Sequence, residues 1–567
     1  MREHLRAAVV LLALTAIGYF HFPGHTYLQS DTQIYVPILE RLWDPAVFTK
    51  EIIAEQPHVT FTIYDEASIG LRRLTGWGFE RTLAVQQFAF RFCELYGIYL
   101  VGIALGLGGP GALLAAACFG LGATISGPAV LTFEYEPNPR GNAIGLVMLA
   151  MGLLAGGRAA AAGAAAGAAF LYHPPTVYPY WAAYFALALI PGKPEAMRRH
   201  LKGLLPMAAA VALLLVFSRY QTGEREHQEF FAVIGAAQEA MMRERASYNW
   251  ISMWPATTIW SYVAYYALMM AALWRLRGRV PGDLRFLVAV MAGVAMCSMP
   301  ASYLFLEHWK WSLMPQFQPM RALLYVVAFA VLLAACAGVA AARNRGWLEA
   351  TIWFTAALIP PVSTRALNYL IEWGTPANRR AGVAAVACAV LTVMVLRLGS
   401  RLERWGMACV AAAIALPFAV PAVSGVRNYP RLHSAEIEQL ASWARLDTGR
   451  EAVFLFPDAG KSLEPGIFRA ESLRAVYVDW KGGGQINFLR DFLTVWRPRW
   501  EDVMTGKFTP SKLEHYRAMG IDYVVLPRAS DMKGVPSVFA NSRYAVYGVR
   551  QAGKILGLFP PDLRVLP

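Results

Sequence analysis

At 567 residues, 56% hydrophobic and only 16% charged, the chain carries more apolar side chains than one soluble core can bury. Its formal charge of +14 does not mark a nucleic-acid binder, because the basic residues sit in short loops between apolar blocks, with no zinc-finger spacing and no basic face interleaved with aromatics. The blocks approach the roughly 17–25 residues that cross a hydrocarbon core, among them Ala7–Phe20, Gly111–Ile125, Leu204–Phe217, Ala322–Ala341 and Ala381–Leu396. They predict an all-α polytopic membrane domain.

In chain order, Met1–Arg6 is charged and leads into an apolar run to Phe20. The run exits into His21-Phe22-Pro23 without a small-residue cleavage site, which predicts an uncleaved first span. Ser30-Asp31-Thr32-Gln33 then opens an amphipathic, aromatic-rich helix over Ile34–Phe48. Asp31 can cap that helix, and a carboxylate so placed can also take a proton from a hydroxyl. Arg91 and Glu94, one helical turn apart inside a span, predict an ion pair on one face.

The next loop reads Phe133-Glu134-Tyr135-Glu136-Pro137-Asn138-Pro139-Arg140. Glu134 and Glu136, two apart in extended backbone before prolines, point to one side. Such a pair suits Mg²⁺ or Mn²⁺, or an ion pair with Arg140. Pro139-Arg140 at the start of a span sets a guanidinium at phosphate depth. Gly163 and Gly167 predict close helix packing. His173, in Tyr172-His173-Pro174-Pro175, stands at the mouth of a span, as a phosphate donor or a satisfied helix-end residue. Glu307-His308-Trp309-Lys310-Trp311 and Gln316-Phe317-Gln318-Pro319-Met320-Arg321 read as an interfacial belt, or as an anion site built from His308, Lys310, Gln318 and Arg321.

Cys93, Cys118, Cys297, Cys336, Cys388 and Cys409 all fall in apolar blocks, where they read as small packing residues. Short basic loops (Gly192–Gly203, Arg275–Arg285, Arg343–Arg345, Arg397–Arg404) alternate with longer, aromatic and acidic ones (Phe22–Arg81, Ser126–Arg140, Arg219–Ser252, Ser302–Pro319). The positive-inside rule places the first class and the N-terminus in the cytoplasm and gives about thirteen crossings. Arg379-Arg380 falls on the outer side, so either Trp347–Pro361 is not a full span or these arginines serve lipid phosphates.

From near Val426 the pattern changes, dividing the chain into a transmembrane domain over 1–425 and an extracytoplasmic α/β domain over 426–567. Ser434–Leu446 has helical spacing, and Ala452–Phe456, Ala475–Val478, Tyr523–Leu526 and Tyr544–Val549 are β-rich. Gly482-Gly483-Gly484 lacks the lysine and spacing of a phosphate loop. Lys481, just before it, reads as a solvated strand end or as a cation on a loop over the membrane face.

This layout resembles the GT-C superfamily of membrane glycosyltransferases, especially the oligosaccharyltransferase catalytic subunits. The resemblance rests on organisation and on two short motifs: a carboxylate in the first outer loop, here Asp31, and an acidic pair in the next, here Glu134-Tyr135-Glu136. It implies a donor sugar on polyprenyl phosphate or pyrophosphate, held at the membrane surface by residues such as His173, Arg140 and Arg321. The pair is Glu-first rather than Asp-first, and the Trp-Trp-Asp motif is absent from the soluble domain, which argues against peptide glycosylation. The soluble segment is similar to C-terminal domains of bacterial membrane proteins of this layout, which implies the bacterial inner membrane. The expected function is an inverting transferase that moves a sugar from a polyprenyl-phosphate donor to an acceptor, with Asp31 as base. The rivals are a transporter or lipid flippase and a non-catalytic envelope assembly protein.

Overall fold

The computed structural model describes residues 2–55, 62–125, 127–128, 130–190, 194–220, 231–362, 376–402, 432–489 and 491–558. α1 (Arg2–Phe20) is the apolar N-terminal segment, and α2 (Thr32–Trp43), α3 (Ile52–Glu55) and α4 (Tyr64–Thr75) build the first long loop. α5 (Phe79–Ala104) and α6 (Gly108–Phe119) lead to an antiparallel pair, β1 (Thr124–Ile125) and β2 (Val130–Leu131). α7 (Pro139–Ala155), α8 (Ala159–Tyr172), α9 (Pro174–Leu189) and α10 (Pro194–Tyr220) follow, then α11 (Ala236–Arg245), α12 (Ala256–Arg275) and α13 (Gly282–Ser302). The membrane part closes with α14 (Leu313–Phe317), α15 (Leu323–Arg343), α16 (Trp347–Val362) and a helix over Pro376–Leu402.

Among the described residues five helical stretches are long and apolar enough to cross a membrane: Glu3–Phe20, Met197–Arg219, Ala256–Arg275, Gly282–His308 and Leu313–Arg343. Gly108–Phe119, Pro139–Ala155, Ala159–Tyr172 and Gly382–Leu398 are shorter apolar helices. The 16 described residues of α16 rise about 24 Å. Arg379 and Arg380 fall in the first turns of helix Pro376–Leu402. Cys409 and the domain boundary near Val426 lie outside the described residues.

α15 is apolar all round and buried from Leu323 to Ala342, which makes it the central helix of the bundle. Glycines let neighbouring backbones touch. A methyl group on Gly163 would lie 2.0 Å from the Gly203 carbonyl oxygen, and one on Gly167 2.9 Å from that of Pro206, so α8 lies directly on α10. Gly97 and Gly145 seat α5 on α7 in the same way, at 2.2 and 2.3 Å from the carbonyls of Met148 and Phe90.

The C-terminal part folds around a five-stranded mixed sheet: β3 (Val453–Leu455), β4 (Ala475–Val476), β5 (Tyr523–Pro527), β6 (Phe539–Ala540) and β7 (Tyr544–Gly548), in the order β4-β3-β5-β7-β6. β3 runs parallel to β4 and β5, while β7 is antiparallel to β5 and β6. Side chains alternate between the two faces. Val453, Leu455, Val524 and Leu526 pack with Ile52, Ile53, Met241 and Trp250. Phe454 and Val525 pack on the other face with Leu28, Val36, Leu39 and Tyr64. Both cores of the sheet are therefore shared with the loops of the membrane part.

A buried polar knot fixes this junction. Arg469 donates to Asp479 at 2.6 Å and to the Gln33 carbonyl at 3.1 Å, with Glu51 at 3.7 Å. Glu51 accepts the Val476 N–H at 2.8 Å and the Ile53 N–H at 3.3 Å. Burial raises the Glu51 carboxyl to about 7, against the pull of Arg469. Because this stands above the ordinary 4.5, the folded chain holds a proton that the unfolded chain has released. The stability contributed here is fully present below about pH 4.5, falls as pH rises, and is lost above about pH 7. Glu51→Gln mimics the neutral acid, so it should flatten this slope in thermal melts across about pH 5–8. Parallel melting profiles of variant and wild type would refute a protonated Glu51.

Candidate active site

The N–H groups that open α2 need an acceptor, and they find it on another loop. Ser30 and Asp31 donate their N–H groups to the two carboxylate oxygens of Glu136 at 2.6 and 2.7 Å, and the Thr32 hydroxyl adds a third bond at 2.6 Å. Asp31 stands at the N-cap position yet makes no side-chain cap. Its carboxylate is left for other partners. Oδ1 accepts the Lys481 ammonium at 2.7 Å, and Oδ2 accepts Arg140 Nη2 at 3.0 Å. Burial works to raise the pKa of Asp31, but Lys481 and Arg140 outweigh it and hold the carboxyl well below the usual carboxylate range.

Arg140 owes its position to the start of α7. Asn138 caps that helix, accepting the Gly141 N–H at 2.9 Å, and Pro139 occupies the first turn. A cation at a helix N-terminus opposes the helix dipole, and two carboxylates offset this. Glu134 accepts Arg140 Nε at 3.0 Å and the Asn138 amide at 3.1 Å, while Asp31 takes the far end of the guanidinium. α5 fastens the loop from behind: Arg91 and Gln87 donate to the Glu134 carbonyl at 2.6 and 3.0 Å.

Lys481 arrives from the C-terminal part on the triple-glycine loop. A methyl group on Gly483 would lie 2.3 Å from the Trp496 ring, so the loop can pass under that indole only as glycine. The indole N–H donates to the Asp479 carbonyl at 2.9 Å, and Lys481 also donates to the Ser30 hydroxyl at 2.8 Å.

Ser30, Asp31, Arg140 and Lys481 border a cavity of about 270 Å³. His173, before α9, lies 2.8 Å from the Thr176 hydroxyl through Nδ1. Burial, together with Arg140 and Arg321, pushes its imidazole well below the usual value, so it is neutral at pH 7. Gln318, at φ +49°, turns the chain so that the Arg321 N–H meets its carbonyl at 3.0 Å. The Arg321 guanidinium lies 5.8 Å from the Tyr248 ring centroid, and that of Arg245 stacks 3.9 Å from the Trp480 centroid. The Nε atoms of both arginines are buried without a hydrogen-bond partner. The lining holds four cations (Arg140, Arg245, Arg321, Lys481) against two carboxylates, Asp31 and Asp65. Such an excess suits an anion with several oxygens.

Of the residues singled out in the sequence, Asp31, Arg140, His173, Gln318, Arg321 and Lys481 line this one cavity. Glu134 and Glu136 stand behind it and turn to different partners. His308 is exposed and Lys310 pairs with Glu239 at 2.8 Å, both away from the cavity. Arg245, Tyr248 and Tyr35 line it without having been singled out. For Arg245 and Tyr248 the one sequence signal is a charged helix followed by aromatics in the loop before α12; for Tyr35 it is the aromatic-rich helix after Asp31.

The two glutamates do not fit a divalent ion as they stand. Each carboxylate is already occupied by N–H or O–H donors, and Glu134 by a guanidinium as well. Among the described residues no group of three or more His, Cys, Asp or Glu is arranged to hold a metal. The Glu136 carboxylate acts instead as the acceptor that orders Asp31. Glu136→Ala strips acceptors from three donors and should cost about 1–3 kcal/mol, read as a lower melting temperature in detergent. An unchanged melt would refute that role.

No family model matches the sequence, and no curated protein matches it. Among solved structures the chain is similar to ArnT from Cupriavidus metallidurans bound to undecaprenyl phosphate, at 13% identity and a TM-score of 0.50 over 96% of each chain. It is also similar to ArnT in the apo state, at 13% identity and a TM-score of 0.44 over 96% of each chain. For the arabinofuranosyltransferase AftD from Mycobacteria the values are 15% identity and 0.43, over 96% of this chain and 36% of that one. The first of these likenesses, with the apolar helices described above, gives the fold alone: the chain is a multi-pass membrane protein folded like that ArnT structure.

Proposed function

We propose that this chain is an inverting glycosyltransferase of the bacterial inner membrane. It moves a sugar from a polyprenyl-phosphate-linked donor to an acceptor hydroxyl on the extracytoplasmic side, with its N-terminus in the cytoplasm. The observation that carries the reading is the meeting of Asp31 with Arg140, Arg321 and Lys481 in one cavity, from segments far apart in the chain. The volume, about 270 Å³, is near the lower end for ligand pockets, about 300 Å³, and suits a phosphate with one sugar. The fold adds support, since ArnT is described bound to undecaprenyl phosphate, a polyprenyl monophosphate.

In this reading Arg140, Arg321 and Lys481 hold the phosphate oxygens, and neutral His173 and Gln318 add hydrogen bonds. Asp31 takes the proton of the acceptor hydroxyl. The acceptor oxygen forms the new bond to the anomeric carbon as the bond from that carbon to the phosphate oxygen breaks. The electron pair leaves on the phosphate, where the cations stabilise the developing charge. No step passes through a metal.

Removing a general base costs about 10²–10⁴-fold in rate. Asp31→Asn should therefore lose transfer by that factor in membranes supplied with the natural donor. Full activity in this variant would remove Asp31 from the mechanism. Arg321→Ala should raise the KM for donor more than it lowers kcat, since its guanidinium serves the phosphate; an unchanged KM would take Arg321 out of the phosphate site.

A further inference from the structure

Asp31 is not free to act as a base in the arrangement described. Both carboxylate oxygens are taken, Oδ1 by Lys481 at 2.7 Å and Oδ2 by Arg140 at 3.0 Å. These are the same two cations that the donor phosphate needs. We propose that the donor phosphate and the Asp31 carboxylate compete for Arg140 and Lys481, so that donor binding itself releases the base. This rests on the donor reading above and deepens it.

The geometry favours an exchange. Arg140 is anchored through Nε to Glu134 at 3.0 Å, so its outer edge stays aimed at the cavity whichever anion it meets. Lys481 is a point charge with three N–H donors, and Ser30 and Asp31 engage it. Its backbone carbonyl lies 3.5 Å from Arg245 Nη2. Arg245 and Arg321, each with an unpartnered buried Nε, make the site attractive to an incoming phosphate before the clamp on Asp31 yields. The donor phosphate is a diester with two terminal oxygens and one negative charge, so it can replace the Asp31 carboxylate as partner of both cations. Once Lys481 and Arg140 turn to it, Asp31 loses the two contacts that suppress its proton affinity and gains an anion nearby that raises it. The groups facing Asp31 across this change are Arg140 on α7, Lys481 on the glycine loop, Arg321 before α15, His173 before α9, Tyr35 on α2, and Tyr135 and Glu136 behind it. Lys481 thus acts as a positioning residue that carries the state of the phosphate site to the base.

The test is the affinity of the full chain in detergent for undecaprenyl phosphate, measured for wild type, Asp31→Asn, Lys481→Gln and the double variant. If the anions compete, Asp31→Asn binds more tightly than wild type by about tenfold or more, although it is poor in transfer. Lys481→Gln binds more weakly by a similar factor, and the gain from Asp31→Asn shrinks when Lys481 is already Gln. A clamp that merely holds the C-terminal part in place would leave the affinity of a folded Asp31→Asn unchanged or lower, and that result overturns the exchange. Should Asp31→Asn not fold, Lys481→Gln decides, with unchanged affinity counting against the exchange. Wild type that fails to bind undecaprenyl phosphate overturns the donor reading and this one together, a result distinct from a failure of the variants alone.

Discussion

A carboxylate and two cations held together beside an apolar bundle set the terms for everything around them. Charges cost several kcal/mol each to desolvate unless paired in good geometry. Asp31 therefore ties the first loop to α7 through Arg140 and to the C-terminal part through Lys481. Each partner is in turn held from behind: Arg140 by Glu134, the Asp31 backbone by Glu136, and the Glu134 carbonyl by Arg91 and Gln87. The result is a layered polar network in which the groups facing the cavity are oriented by groups that never reach it. Such support is what a site needs if its charges are to wait in place for a charged substrate.

Much of the architecture is written locally. Apolar block length gives the helical bundle, and the unbroken apolar runs Val453–Leu455 and Tyr523–Pro527 give a sheet buried on both faces. α2 is legible too, though it stops at Trp43 rather than Phe48, because Asp44 before Pro45 adopts extended backbone. The Gly163 and Gly167 spacing gives a helix contact that the structure contains. β6, two residues long, is too short to leave a periodic signal.

The site was legible in parts, and the reason is distance along the chain. Asp31, Arg140, His173, Gln318, Arg321 and Lys481 stand out because ionisable and polar groups at the ends of apolar spans are unusual. Which of them meet is a matter of long-range packing that no local pattern encodes. Arg245 reaches the cavity only because Trp480, from the far end of the chain, offers its ring face. The divergence of Glu134 and Glu136 is equally non-local: the sequence shows two carboxylates on one side of a strand, and the fold gives one to a helix cap and the other to an arginine.

The two shared cores carry a consequence for the way the molecule is made. Leu28, Val36 and Leu39 are covered by Phe454, Phe468 and Val546, residues that leave the ribosome more than four hundred positions later. Until they arrive, nothing in that sheet covers these apolar side chains of the first loop. Biogenesis therefore has a vulnerable interval, closed only when the last strands dock, and a chain shortened at its C-terminal end would remain in that sticky condition for its whole lifetime.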